Sequence, residues 1–241
     1  MNIGDWLDGG DPHDADRSAA QAAWLQSWTG TVRPAGGGRV LDLGCGDGRA
    51  VLQAATAGCE VVGIDCNGDS LARCRERLRS SGLDATLMEQ DVLQPWGDIG
   101  SGFDLILCLG NTFMLFWELE SATHLLKTCR EHLAPGGIVV IDDMPLEFQE
   151  EVESGNWATG LSPDGDLQMI WDEHEPIFTI RSGEAVDEES WTLCEDDVRL
   201  RHWTLDSLAG VAVAAGLSGP ESPMDGPGAG AVLVMRSVQA S

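Results

Sequence analysis

The sequence contains no tyrosine, and only fourteen of its 241 residues are lysine or arginine, against forty aspartates and glutamates. Each shortage excludes something. Without tyrosine there is no Tyr-x-x-x-Lys pair, which argues against a nicotinamide-dependent oxidoreductase. A formal charge of -26 would repel a phosphate backbone, because nucleic-acid affinity rests on Lys and Arg neutralising phosphates; no nucleic-acid partner is expected. No run of eighteen apolar residues occurs, and the N-terminal MNIGDWLDGGDPHDADRS is acidic where a secretory leader would be basic and then apolar. A cytoplasmic protein without membrane association is therefore expected. The seven cysteines are scattered and form no C-x-x-C pair, which reads as reduced thiols rather than disulfides or zinc ligands. WDEHE at 171 to 175 lacks the H-E-x-x-H spacing, and no metal is expected.

What is present is a regular alternation. RVLDLG, EVVGID, ATLMEQD, FDLILCL and GIVVIDD are short runs rich in Val, Ile and Leu, separated by helical patterns such as DSLARCRERLRSSG. That order specifies an α/β fold, a doubly wound and mostly parallel sheet with helices on both faces. The reading predicts seven strands, with helices ending at glycine or proline, the third at Pro135 and Gly136. From Pro145 to Trp203 the rhythm breaks into β-forming segments, LQMIWDEH, IFTIRSGEAV and SWTLCEDDVRLRHW, which predict a small antiparallel insertion after the fifth strand. The expected organisation is an N-terminal helical segment over 1–38 covering the site, then one domain over 39–241, with 145–203 as a lid or substrate-side insertion. Between Asp142 and Leu200 stand eighteen acidic and two basic residues; they form a solvated surface or attract a cationic substrate.

The strongest local signal is VLDLGCGDGR, residues 40 to 49, where a buried strand runs into three glycines and then a helix. Gly44 and Gly46 can adopt backbone angles closed to other residues and let a ligand touch the main chain, while the helix start offers free N–H groups. Asp42 can accept from those amides or from a ligand ammonium. A dinucleotide fingerprint would require glycine at 49, where this chain has Arg49. Asp65, 21 positions after Gly44 at the end of the second run, can accept two hydrogen bonds from ribose hydroxyls or cap the next helix.

Taken in order, VLDLGCGDGR, GID, QDV, FDLILCLGN and LAPGGIVVID resemble the successive motifs of the class I S-adenosylmethionine-dependent methyltransferases. The resemblance covers residues 39 to 143 and, less closely, 201 to 238. It implies S-adenosylmethionine as cofactor. It implies Asp42, Gly44, Cys45 and Gly46 around the methionine and ribose, Asp65 at the ribose hydroxyls and Cys66 at the adenine face. It further implies Asp91 and the backbone of Val92 at the adenine edge, and the carbonyls of Leu109 and Gly110 at the methionine ammonium. CLGNTFMLF is also similar to the CxGNxF segment of glycine and sarcosine type N-methyltransferases, although the tyrosines of those enzymes are missing here. Trp6, Trp24, Trp117, Trp157, Trp171, Trp191 and Trp203 are candidates for aromatic walls or for packing.

Methyl transfer from a sulfonium is an in-line displacement that depends mainly on positioning, which supplies on the order of 7 to 11 kcal/mol. The candidate substrate-side residues are Asn111, whose amide can orient an amine lone pair, Asp143, which ends the fifth strand and can accept a proton, and His174, a general base for a hydroxyl substrate. A small-molecule acceptor, such as an amine, is the expected partner. The alternative is a non-catalytic domain that binds the cofactor or another protein, since fold alone does not make an enzyme.

Overall fold

Alternation along single strands builds the molecule. The computed structural model describes residues 14–32, 37–142, 160–162, 164–223 and 232–238. In chain order the elements are α1 (Asp14–Val32), β1 (Arg39–Leu43), α2 (Arg49–Thr56), β2 (Glu60–Asp65), α3 (Gly68–Ser80), β3 (Thr86–Glu89), β4 (Phe103–Cys108), α4 (Leu119–His132), β5 (Leu133–Ile141), β6 (Leu167–Trp171), β7 (Ile177–Ser182), β8 (Leu200–Arg201), α5 (Leu205–Ala214) and β9 (Leu233–Arg236). Val40 of β1, Leu105 and Leu107 of β4, and Ile138 and Val140 of β5 bury against Leu25 and Trp28 of α1, Val51 of α2 and Leu71 of α3. The intervening Leu41, Leu43, Ile106 and Val139 bury on the other face against Leu125 of α4 and Leu208 of α5. This is the two-residue period of a pleated strand covered on both sides.

The main sheet has the order β3-β2-β1-β4-β5-β9, all parallel except β9, which runs antiparallel to β5. Six strands thus replace the expected seven among the described residues. Among the described residues the chain after β5 returns to this sheet as β9, while β6, β7 and β8 form a separate small antiparallel sheet.

Two local expectations are corrected. Helix α4 ends at His132, before Pro135, and Leu133 already belongs to β5; the residue ahead of a proline is driven into extended backbone. In the insertion, SWTLCEDDVRLRHW shrinks to the two residues of β8. Side chains from β6 and β7 satisfy the backbone there instead of a ladder. Gln168 donates to Asp187 O at 2.7 Å and Ser190 O at 3.1 Å, and Arg181 donates to Thr192 O at 3.1 Å. The insertion is not detached: Met169, Phe178, Ile180, Leu200 and Trp203 belong to the same buried cluster as α4 and α5.

Helix α1 packs on α2; residues 1–13 and 33–36 of the expected N-terminal segment lie outside the described residues. Among the described residues no helix is long and apolar enough to cross a membrane.

Candidate active site

The chain runs outward from β1 to β3 on one side of the sheet and then to β4 and β5 on the other, so the switch point lies between β1 and β4. At such a point the two connections leave in opposite directions and open a crevice at the carboxyl ends of the strands. From β1 comes the glycine turn. Gly44 and Cys45 donate to Ile64 O at 2.8 and 3.0 Å, tying the turn to β2. Gly44 (φ 67°) and Gly46 (φ 52°) hold left-handed backbone that favours glycine. A Cβ on Gly44 would collide with the methyl of Thr112, and one on Gly46 would meet nothing within 4 Å, leaving that backbone open to a ligand.

Asp65 fastens this turn. Its Oδ2 accepts from Gly46 N at 2.7 Å and its Oδ1 from Asn67 N at 2.8 Å. Asn67, not Asp65, caps α3, accepting from Asp69 N and Ser70 N at 3.0 Å. Asp65 is thereby released from a capping role, and a carboxylate has acceptor sites left for two hydroxyls.

From β4 comes the opposite wall. Asp142, at the end of β5, accepts from Gly110 N at 2.6 Å, Asn111 N at 3.1 Å and Gln21 Nε2 of α1 at 3.0 Å. Asn111 sits at φ 61°, the one described non-glycine residue with positive φ, and opens a 3-10 turn over Thr112–Leu115. Backbone held there against its preference is held by its surroundings, here by Asp142. The Thr112 hydroxyl donates to Leu109 O at 2.8 Å. Trp96 Nε1 donates to Val92 O at 2.7 Å and Leu93 N to Asp91 Oδ1 at 2.9 Å, fixing the segment after β3.

Between these walls lies a cleft of about 560 Å³, within the range of small-ligand sites, roughly 300 to 1,000 Å³. Asp42, Gly44, Cys45, Gly46, Asp65, Cys66, Asp91, Val92, Leu109 and Gly110 all line it. Burial pushes the Asp42 carboxyl up to about 7, against the opposing pull of Arg49 and with the help of Asp65 and Asp142. Desolvation favours the uncharged acid, so this carboxyl is primed to ionise when a cation arrives.

The candidate substrate-side residues are not gathered at the cleft. Asn111 is buried and is not one of its walls. His174 stands exposed in the turn between β6 and β7, its backbone N bonded to Asp172 Oδ1 at 2.9 Å, away from those walls. Asp143 lies outside the described residues. Nor do the described tryptophans line the cleft: Trp171 packs on Phe178, Trp203 on Phe113, and Arg199 lies over Trp117. Trp6 and Trp157 lie outside the described residues. The sequence reading missed Arg49, Thr112, Leu115 and Phe116, which do line it. Arg49 registered only as a missing glycine, and the other three follow Asn111 too closely for any periodicity to separate wall from core.

The fold and cleft resemble those of the class I S-adenosylmethionine-dependent methyltransferases. Residues 40–137 match the family model described as a methyltransferase domain. The cypemycin N-terminal methyltransferase of a Streptomyces species is 36% identical over 133 residues, 53% of this chain and 51% of that protein. The glycine N-methyltransferase of Mus musculus is 28% identical over 165 residues, 62% of this chain and 51% of that protein. The chain thus spans about half the length of these curated relatives. A solved S-adenosylmethionine-dependent methyltransferase from Clostridium acetobutylicum ATCC 824 shares the fold, with a TM-score of 0.59 at 13% identity over 89% of this chain and 98% of that one.

Proposed function

We propose that this protein is a methyltransferase that transfers the methyl group of S-adenosylmethionine to a nitrogen of a small molecule. The observation that carries the reading is the convergence on one cleft of all ten residues that the motifs assign to the cofactor. The cleft's chemistry fits the group: an open backbone at Gly46, a fully buried Arg49 Nη1 with no hydrogen-bond partner, and the buried acid Asp42. Asp65 and Asp91 would hold the ribose and adenine, Asp42 with the carbonyls of Leu109 and Gly110 the ammonium, and Cys66 the adenine face. When bound, the cofactor supplies an electrophilic methyl on a sulfonium.

The chain's own contribution is orientation and exclusion of water. Thr112, Leu115 and Phe116 form the wall on the β4 side, and an apolar wall keeps an amine lone pair desolvated and in line with the methyl. Among the described residues no histidine lines the cleft; an acceptor that arrives as the free amine gives up its proton to solvent after transfer. Nitrogen is favoured over oxygen because both curated relatives named above carry N-methyltransferase names or act at an N-terminus, and because a chain of charge -26 raises the local concentration of cationic amines. Cofactor binding without turnover remains the alternative reading.

Calorimetric titration with S-adenosylmethionine, S-adenosylhomocysteine and NADH, followed by radiolabelled methyl transfer to a panel of amines and alcohols, tests the proposal. Micromolar binding of the two sulfur nucleosides is expected, weakened in Asp65→Ala by about 1.5 to 3 kcal/mol, the value of a hydrogen bond to a charged group. Binding of NADH alone would sink the cofactor, and nucleoside binding with no transfer to any amine would leave the non-catalytic reading.

A further inference from the structure

Gln21, Leu25 and Trp28 are buried at i, i+4 and i+7 along α1, the spacing of one helix face turned to the core. Leucine and tryptophan satisfy that pattern by burial. Glutamine does not, because an amide taken out of water costs free energy unless it is bonded. Gln21, 3% exposed, donates through Nε2 to Asp142 Oδ2 at 3.0 Å, across 121 positions of sequence. The same Oδ2 accepts from Gly110 N at 2.6 Å, while Oδ1 accepts from Asn111 N at 3.1 Å. A carboxylate meets two successive backbone amides only when its plane is turned toward both, and a third donor on Oδ2 holds that rotation.

The turn held in this way belongs to the cleft. Leu109, Gly110 and Thr112 line it, and the Thr112 methyl lies so near Gly44 on the opposite wall that no Cβ would fit there. Asn111 between them keeps φ at 61°, a backbone that persists only where its neighbours impose it. Gln21 and Asp142 are not themselves walls of the cleft. We propose that Gln21 is a positioning residue that acts through Asp142 to set the shape of the 109–112 wall, so that α1 governs ligand binding from behind that wall. The inference rests on S-adenosylmethionine being the ligand and on its amino-acid end meeting Leu109 and Gly110.

The test is calorimetry without any acceptor, comparing S-adenosylhomocysteine with 5′-methylthioadenosine, which keeps adenosine and thioether but lacks the amino-acid end. Gln21→Met keeps the length and bulk of the side chain and removes the donor. It should weaken S-adenosylhomocysteine by roughly 3- to 10-fold, the range for one hydrogen bond, and leave methylthioadenosine nearly unchanged. Loss of packing alone would lower the melting temperature without separating the two nucleosides. Amide hydrogen exchange gives a second readout: Gly110 and Asn111 should exchange faster in the variant while Leu105 and Leu107 of β4 stay protected. Should Gln21→Met not fold, Gln21→Asn, one methylene too short for the bond, is read in the same way. Equal weakening of both nucleosides, weakening of neither, or unaltered exchange at Gly110 and Asn111 overturns the proposal. Failure of the unaltered protein to bind either nucleoside would instead remove the cofactor reading, with the exchange measurement still deciding whether Gln21 holds the turn.

Discussion

Asp42 shows how a single residue can be set against the stability of its own fold. Its carboxyl is held at about 7 in the folded protein by burial, against 3.8 in an ordinary chain. Between those values the folded state keeps a proton that the unfolded state has released, so stability declines as pH rises through this window and the penalty is complete above it. Asp42→Asn should therefore gain little over the unaltered protein near about pH 4 and most above about pH 7. Melting temperatures at both ends of the window measure this; an advantage independent of pH would show that Asp42 does not titrate there. The same variant should bind S-adenosylmethionine more weakly, because the buried acid then has no charge to offer the ammonium. Asp42 was legible in the sequence from its place before the glycines. Its protonation was not, since that depends on the helices that close over it.

At the scale of elements, the insertion depends on buried polar side chains. Arg181 of β7 reaches Asp197 through two bonds, Nε to Oδ1 at 2.9 Å and Nη2 to Oδ2 at 2.8 Å, and the pair is about nine-tenths buried. Arg181 beside it holds the Asp197 carboxyl below the usual carboxylate range, so the stability it provides is present above the ordinary carboxylate value and is lost as pH falls through the lowered one. Asp197→Ala leaves the guanidinium uncompensated and should cost about 3 kcal/mol in urea denaturation, whereas Arg181→Met with Asp197→Leu should cost less. Equal losses would mean that the pair is worth its full contact energy. This is also where sequence reading gave way. The core strands announce themselves by runs of Val, Ile and Leu, but nothing in SWTLCEDDVRLRHW reveals that Arg181 and Gln168 will hold its carbonyls and leave only two residues to pair as β8. Asn111 was no easier to place, since after β4 it lies buried while the next residue, Thr112, lines the cleft.

For the whole molecule, a charge of -26 means that folding gathers mutually repelling groups. Salt screens that repulsion, with a Debye length near about 10 Å at 0.1 M. The melting temperature should rise when sodium chloride is raised from about 10 mM to about 0.5 M, and a fall would mean that ion pairs such as Arg201 with Glu175 outweigh the excess. Within that shell, the doubly wound sheet and the ten residues that gather at one cleft could be read from ordered motifs. The seam between β4's exit and the insertion could not, because the insertion carries no motif.

The insertion is fastened to that exit. Trp203 Nε1 donates to Phe113 O at 3.3 Å, Arg201 Nε donates to Trp117 O at 2.5 Å, and Phe178, Leu200 and Trp203 share one hydrophobic cluster with Phe113, Met114 and Phe116. The cleft wall at Phe116 and the packing of the insertion are consequently inherited together. A chimera that borrows another protein's insertion would also unseat Phe113, Met114 and Phe116, so changes in this region have to come in pairs, one on each side of that seam.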